Sequence, residues 1–145
     1  MTRRRWHRGV FIAAGLYNLA WGLYSSIDPQ WYFRSVGLEP INHPQIFACL
    51  GMVIGLYGLL YLEVARVPER GFALAAVGLL GKVLGPLGAA LLVARGTWPP
   101  RFLWQLVGND LVWWIPFALY LRDAWPEYRA GFRPAAASPK ERDES

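Results

Sequence analysis

The chain is short of charge and nearly empty of thiol chemistry. Of its 145 residues only 17% are Asp, Glu, Lys or Arg, against about 25% in an ordinary soluble domain, which argues against a water-soluble globule. A single cysteine, Cys49, excludes an intrachain disulfide, a CxxC redox pair and a cysteine-rich zinc site. The two histidines, His7 and His43, are expected on opposite sides of the molecule and cannot share a haem or metal; no metal site and no cofactor is expected. The phosphate-cradling loop G-x-x-x-x-G-K-[ST], the dinucleotide motif G-x-G-x-x-G, and the hydrolase motifs H-E-x-x-H and G-x-S-x-G are all missing, which disfavours nucleotide-driven transport and zinc- or serine-dependent hydrolysis. The length fits one domain and leaves no room for a repeat array.

What fills the chain instead is apolar sequence, 54% of residues. A helix needs about 20 mostly apolar residues to cross ~30 Å of hydrocarbon, and four stretches qualify, at about 10–27, 46–65, 71–94 and 102–121. Between them lie Asp28-Pro29-Gln30 with the segment 31–45, then 66–70, then 95–101, all carrying the Pro, Gly and charge that end helices. Short connections make consecutive helices neighbours, and the need to pair every backbone group in lipid leaves the α-helix as the spanning form. The expected architecture is all-α: an integral membrane four-helix bundle over residues 10–122. A basic tail at 1–9 precedes it, and a tail at 123–145, disordered beyond Pro134, follows.

The net charge of +5 needs no nucleic-acid partner, because its distribution fits a membrane surface. Arg3, Arg4, Arg5, Arg8, Arg66, Arg70, Arg122, Arg129, Arg133, Lys140 and Arg142 fall on one side, and only Arg34, Arg95 and Arg101 on the other. The positive-inside bias then places both termini in the cytoplasm, with a retained basic anchor at the N-terminus. Segment 31–38, with Trp31, Tyr32, Phe33 and Arg34, is too short to span. It reads as an amphipathic helix on the outer face, aromatics toward lipid and arginine toward phosphates. His43, between Asn42 and Pro44, is a candidate gate at the outer mouth.

Polar side chains inside the apolar stretches carry the most information, since an ionisable group at the bilayer centre costs about 2.5–3.5 kcal/mol on the mildest scale. Lys82 is near the middle of the third stretch and Asp110 lies inside the fourth, at compatible depths on consecutive antiparallel helices. A Lys82–Asp110 pair reduces the burial cost of both charges. Asn18, Gln105 and Asn109 extend the expected network, with Trp21 continuing the Asn18 face and Trp113 and Trp114 one turn beyond Asn109. This set reads either as a polar clamp fixing helix register or as the floor of a ligand site.

Small residues supply close approach where water no longer drives association. Gly78, Gly81, Gly85 and Gly88 recur at helical spacing on the third stretch and Gly51 and Gly55 on the second, and all are expected to pack against neighbouring helices. Pro86 removes the amide that would pair with the carbonyl of Lys82, and Pro116 does the same for Val112.

The strings Tyr17-Asn18-x-x-Trp21-Gly22, Pro29, Gly37-Leu38 and Gly51-Met52-x-x-Gly55-x-Tyr57-Gly58 resemble the DoxX-like group of small bacterial four-helix membrane proteins. Gly78-Leu79-Leu80-Gly81-Lys82-x-x-Gly85-Pro86 and Asn109-Asp110-Leu111-x-Trp113-Trp114-x-Pro116-Phe117 are similar to a narrower subgroup of them. The resemblance implies four helices in a bacterial cytoplasmic (inner) membrane and transfers no single activity. Some members are labelled alkyl hydroperoxide reductase, a chemistry that needs a cysteine pair this chain lacks. A weaker likeness, through Asp28-Pro29 and Trp31-Tyr32-Phe33-Arg34, is to the sterol-isomerase and sigma-2-receptor type, whose charged residues within the spans do not line up with those here.

Two functions are compatible with these features. One is a non-catalytic accessory or scaffolding subunit of a larger membrane complex, or a homo-oligomer joined through the glycine face. The other is binding or transport of a small lipophilic molecule (a quinone, sterol or carotenoid-like compound) in a polar-centred cavity. A membrane isomerase or redox enzyme is a more distant third.

Overall fold

A computed structural model describes residues 2–131, with side chains from Arg4 onward. The described residues form helices and turns, with no strand among them: α1 (Thr2–Ile27), α2 (Trp31–Val36), α3 (Pro44–Arg66), α4 (Phe72–Ala94), α5 (Phe102–Leu106) and α6 (Val112–Ala130). A 3-10 turn at Pro68–Arg70 joins α3 to α4, and a π turn at Val107–Leu111 joins α5 to α6. Three helical stretches, Arg4–Ile27, Pro44–Arg66 and Phe72–Ala94, are long and apolar enough to cross a membrane. The expected fourth stretch, 102–121, does not form one such helix. The π turn divides it, and α6 runs on through Arg122, Asp123, Glu127 and Arg129 before ending at Ala130.

Helix extends into both expected tails. Helix α1 begins at Thr2 rather than after residue 9, because the buried face that carries Phe11, Ala14 and Asn18 continues one turn back to His7, itself only 7% exposed. The Arg4–Glu69 ion pair and a hydrogen bond from Arg8 to the Arg66 carbonyl (3.3 Å) hold this turn to the α3–α4 connection. At the other end helix persists to Ala130; the disordered end expected beyond Pro134 lies outside the described residues.

Helices α1 and α3 meet along a seam of glycines spaced two turns apart on each helix. A methyl group on Gly15 would lie 2.8 Å from the Gly58 carbonyl, and one on Gly22 only 2.5 Å from the Gly51 carbonyl and 2.6 Å from Gly55 Cα. The antiparallel register therefore pairs Gly15 with Gly58 and Gly22 with Gly51, backbone on backbone. Polar side chains stitch the same seam: Asn18 donates to the Ile54 carbonyl (3.4 Å) and Ser26 to the Ala48 carbonyl (3.3 Å). Close approach of this kind multiplies van der Waals contact without needing water to drive it.

Beyond the seam the core is aromatic. Phe11, Tyr61, Phe117 and Tyr120 interlock with ring centroids 4.6–6.1 Å apart, tying α6 to α1 and α3 at the end that holds the N-terminus. The Tyr120 hydroxyl donates to the Pro68 carbonyl at 2.6 Å. At the opposite end α2 closes against α1 and α3. Its aromatics turn toward the protein rather than away from it: Tyr32 stacks on Phe47, Trp21 meets Trp31 edge-on, and the Trp31 indole donates to Ser25 Oγ at 3.0 Å. Arg34 instead pairs with Asp28, and the hydrogen bond from that guanidinium holds the Asp28 carboxyl below the usual carboxylate range. Gly37, at φ 66°, supplies the left-handed turn that ends α2.

Candidate functional site

Helices α3 and α4 touch near Gly78, where an added methyl would lie 2.5 Å from the Tyr61 hydroxyl, and then part company. Gly81, Gly85 and Gly88 have nothing within 4 Å of a would-be Cβ. The expectation that these three glycines pack against a neighbouring helix is corrected here. The physical reason lies on α3. Its glycines are used against α1, and the side left to α4 presents the bulk of Phe47, Ile54, Tyr57 and Tyr61. Gly51 does lie in a close contact, and Gly55 in an ordinary one at 3.7 Å, but with α1.

The separation leaves a cavity of about 640 Å³ lined by α3, α4 and the α5–α6 segment, with Trp21 and Tyr32 at one end. Its walls are predominantly apolar. Leu50, Val53, Val77 and Leu84, among its lining residues on α3 and α4, are exposed, so the cavity is open to the surface along the gap between these helices.

Its floor is polar. Lys82, on α4, and Asp110, in the π turn, both line the cavity, with side chains only 8% and 10% exposed and Nζ 3.9 Å from Oδ1. Lys82 donates to the Asn109 carbonyl at 2.7 Å, and its ammonium lies 5.8 Å from the centroid of the Trp113 ring. Asn109 Nδ2 donates to Asp110 Oδ2 at 3.0 Å, and the Tyr17 hydroxyl donates to Asn109 Oδ1 at 3.4 Å. The amide lost at Pro86 is replaced: the Trp114 indole N–H donates to the Lys82 carbonyl at 2.8 Å. The π turn and the proline of α4 thus meet at one residue, Lys82, whose backbone and side chain are both bound by the α5–α6 segment.

Of the residues singled out by sequence, Lys82, Asn109, Asp110, Trp113 and Trp114 come together, and Asn18 and Trp21 line the same cavity from α1. Gln105 does not join them. Its amide donates to Ser35 Oγ in the last turn of α2 (3.0 Å), because the wider π turn between it and Asn109 means that four residues no longer complete a turn. His43 is exposed at the start of α3 and is not among the cavity-lining residues; Cys49 is exposed as well.

Sequence reasoning missed Tyr17, whose signal was its place three residues after Ala14 on the buried side of α1. It also missed a second polar contact at the far end, where His7 Nε2 lies 2.9 Å from Asp123 Oδ2 beside a smaller cavity of about 250 Å³. That pairing becomes readable only once α1 is extended back to Thr2. Among the described residues no group of three or more His, Cys, Asp or Glu side chains could hold a metal ion. No protein-family model, curated protein or solved structure matches the chain.

Proposed function

We propose that this protein is a multi-pass membrane protein that binds a small lipophilic molecule in the cavity between α3 and α4, its polar end at Lys82 and Asp110. The observation that carries the reading is the cavity itself: about 640 Å³, apolar-walled, open sideways, and floored by a buried ion pair. A side opening between helices admits a ligand directly from the hydrocarbon layer, and a few convergent polar groups on an apolar wall fix its orientation. In this reading α5, the π turn and α6 together make the fourth crossing, backed by the other helices. Its irregular backbone lines a cavity, the setting in which such backbone is tolerated in lipid. The excess of Arg at the α1 N-terminus and the α3–α4 connection puts that end and both termini in the cytoplasm, and α2 at the outer interface of a bacterial inner membrane. The chain then belongs with the DoxX-like proteins its motifs resemble.

Native mass spectrometry after purification in mild detergent tests the proposal. Wild type is expected to carry a lipophilic molecule in stoichiometric amount. The Gly85→Phe variant, which puts a bulky ring into the cavity from a position whose Cβ has open space beyond its chain neighbours, is expected to lose it. Retention of the molecule by Gly85→Phe overturns the site.

A second reading rests on the bare stripe of Gly81, Gly85 and Gly88. A helix of a larger complex, or of a second copy, seated there makes the protein an accessory subunit without catalytic function. Stable partner polypeptides released by Gly85→Phe, in place of a small molecule, favour it.

A further inference from the structure

Within the lipophilic-ligand reading, on which this inference rests, we infer that the ligand carries an uncharged hydroxyl, seated between the Lys82 ammonium and the Asp110 carboxylate. The two groups face each other across the cavity floor at 3.9 Å, too far for a direct hydrogen bond. A hydroxyl oxygen that accepts from Nζ and donates to Oδ1 through bonds of about 2.8 Å, meeting at roughly a right angle, spans that gap. The remaining hydrogen-bonding capacity fits this role. An ammonium has three donors, and one is committed to the Asn109 carbonyl. Asp110 Oδ2 receives Asn109 Nδ2, while Oδ1 receives no hydrogen bond from the described residues. The cavity floor therefore offers unused donor capacity on Lys82 and an unused acceptor on Asp110 side by side, the complement of a group that is both acceptor and donor.

Charge selects further. Lys82 and Asp110 balance each other, so an uncharged ligand leaves the pair intact. A carboxylate brings a second negative group beside Asp110, and an ammonium a second positive one beside Lys82, each in a poorly screened setting. The walls supply the other half of the specificity, since Phe47, Ile54, Tyr57 and Leu84 ask for an apolar body attached to the hydroxyl. The ligand class is thus an apolar alcohol, and an ether, ketone or hydrocarbon of the same shape lacks the proton that Oδ1 accepts.

The experiment uses one isoprenoid chain with three ends: tritiated farnesol, farnesylamine and farnesoic acid. Each is titrated against the full-length protein in nanodiscs, with empty nanodiscs subtracted. Farnesol is expected to bind at least about tenfold more tightly than the other two, the equivalent of one well-placed hydrogen bond. Asp110→Asn is expected to raise the affinity for the acid and Lys82→Met that for the amine. The ranking in wild type needs neither variant, so their stability does not decide the outcome. If the acid or the amine equals farnesol while Gly85→Phe abolishes its binding, the hydroxyl assignment falls and the cavity reading stands. If no probe binds in a manner sensitive to Gly85→Phe, both fall.

Discussion

Helix α4 and the α1–α3 pair both carry glycines at helical spacing, and the molecule uses them in opposite ways. Along α1 and α3, glycine faces glycine in register, and at Gly15, Gly22 and Gly58 the two backbones close until no methyl group fits between them. Along α4 the glycines face the aromatic and branched side chains of α3, and the helices stand apart over a cavity. Glycine spacing on one helix encodes a smooth strip and nothing more. What lies on that strip is decided by the residues opposite. The same contrast holds for polar groups. The seam uses neutral donors to backbone carbonyls, whereas the cavity floor holds a charged pair supported by a π turn and an indole.

The largest effect that tests this contrast is expected at Lys82. Lys82→Met strands the buried Asp110 carboxylate and should cost about 3–5 kcal/mol, read as a drop in thermal unfolding midpoint in detergent. The Lys82→Met/Asp110→Leu double variant should recover most of it. A double variant no better than the single one would mean the pair is not a unit. Next comes the seam itself. Gly22→Ala presses a methyl against the backbone of Gly51 and Gly55, with an expected loss of about 1–3 kcal/mol in the same assay. Trp114→Phe removes the donor to the Lys82 carbonyl and should cost about 1–3 kcal/mol if no water takes its place.

Gly81→Ala should do the reverse of Gly22→Ala, stabilising by up to about 1 kcal/mol through helix propensity, because no residue beyond its chain neighbours lies within 4 Å of the added methyl. If the two alanine variants behave alike, the division between closed seam and open cavity is wrong. The smallest effect is expected at α2. The carboxyl of Asp28 is held low by Arg34, so this pair's contribution is present above the ordinary carboxylate range and lost as pH falls through the lowered value. Trp31 fluorescence should report that loosening on acidification, and Asp28→Asn should remove its pH dependence.

Much of this was legible beforehand for a simple reason. The stretches at 46–65 and 71–94 are apolar on every side, so length and composition alone locate α3 and α4 to within a residue or two. Lys82 and Asp110 stood out because charge is rare in such runs. The break in the fourth stretch was not legible: a π turn adds one residue to a helical loop, and no residue in Val107–Leu111 forbids the α form. Gln105 was misplaced by that same extra residue. The openness of α4 was hidden because spacing read along one helix says nothing of its neighbour. His7 was hidden by its arginine-rich surroundings, which resemble a solvated tail until the buried face is followed back through them.

One feature of the cavity floor has mechanical weight. Where Pro86 interrupts the amide ladder of α4, the missing rung is supplied by an indole from another helix. Helix α4 is thereby tied to α6 at its proline. The portion of α4 past that joint bears Gly88, Ala89 and Leu92 on the cavity wall, so the wall is anchored from a different part of the chain. Because that indole belongs to α6, the side chain that pairs the carbonyl freed by Pro86 comes from the segment that also supplies Asp110 to the cavity floor.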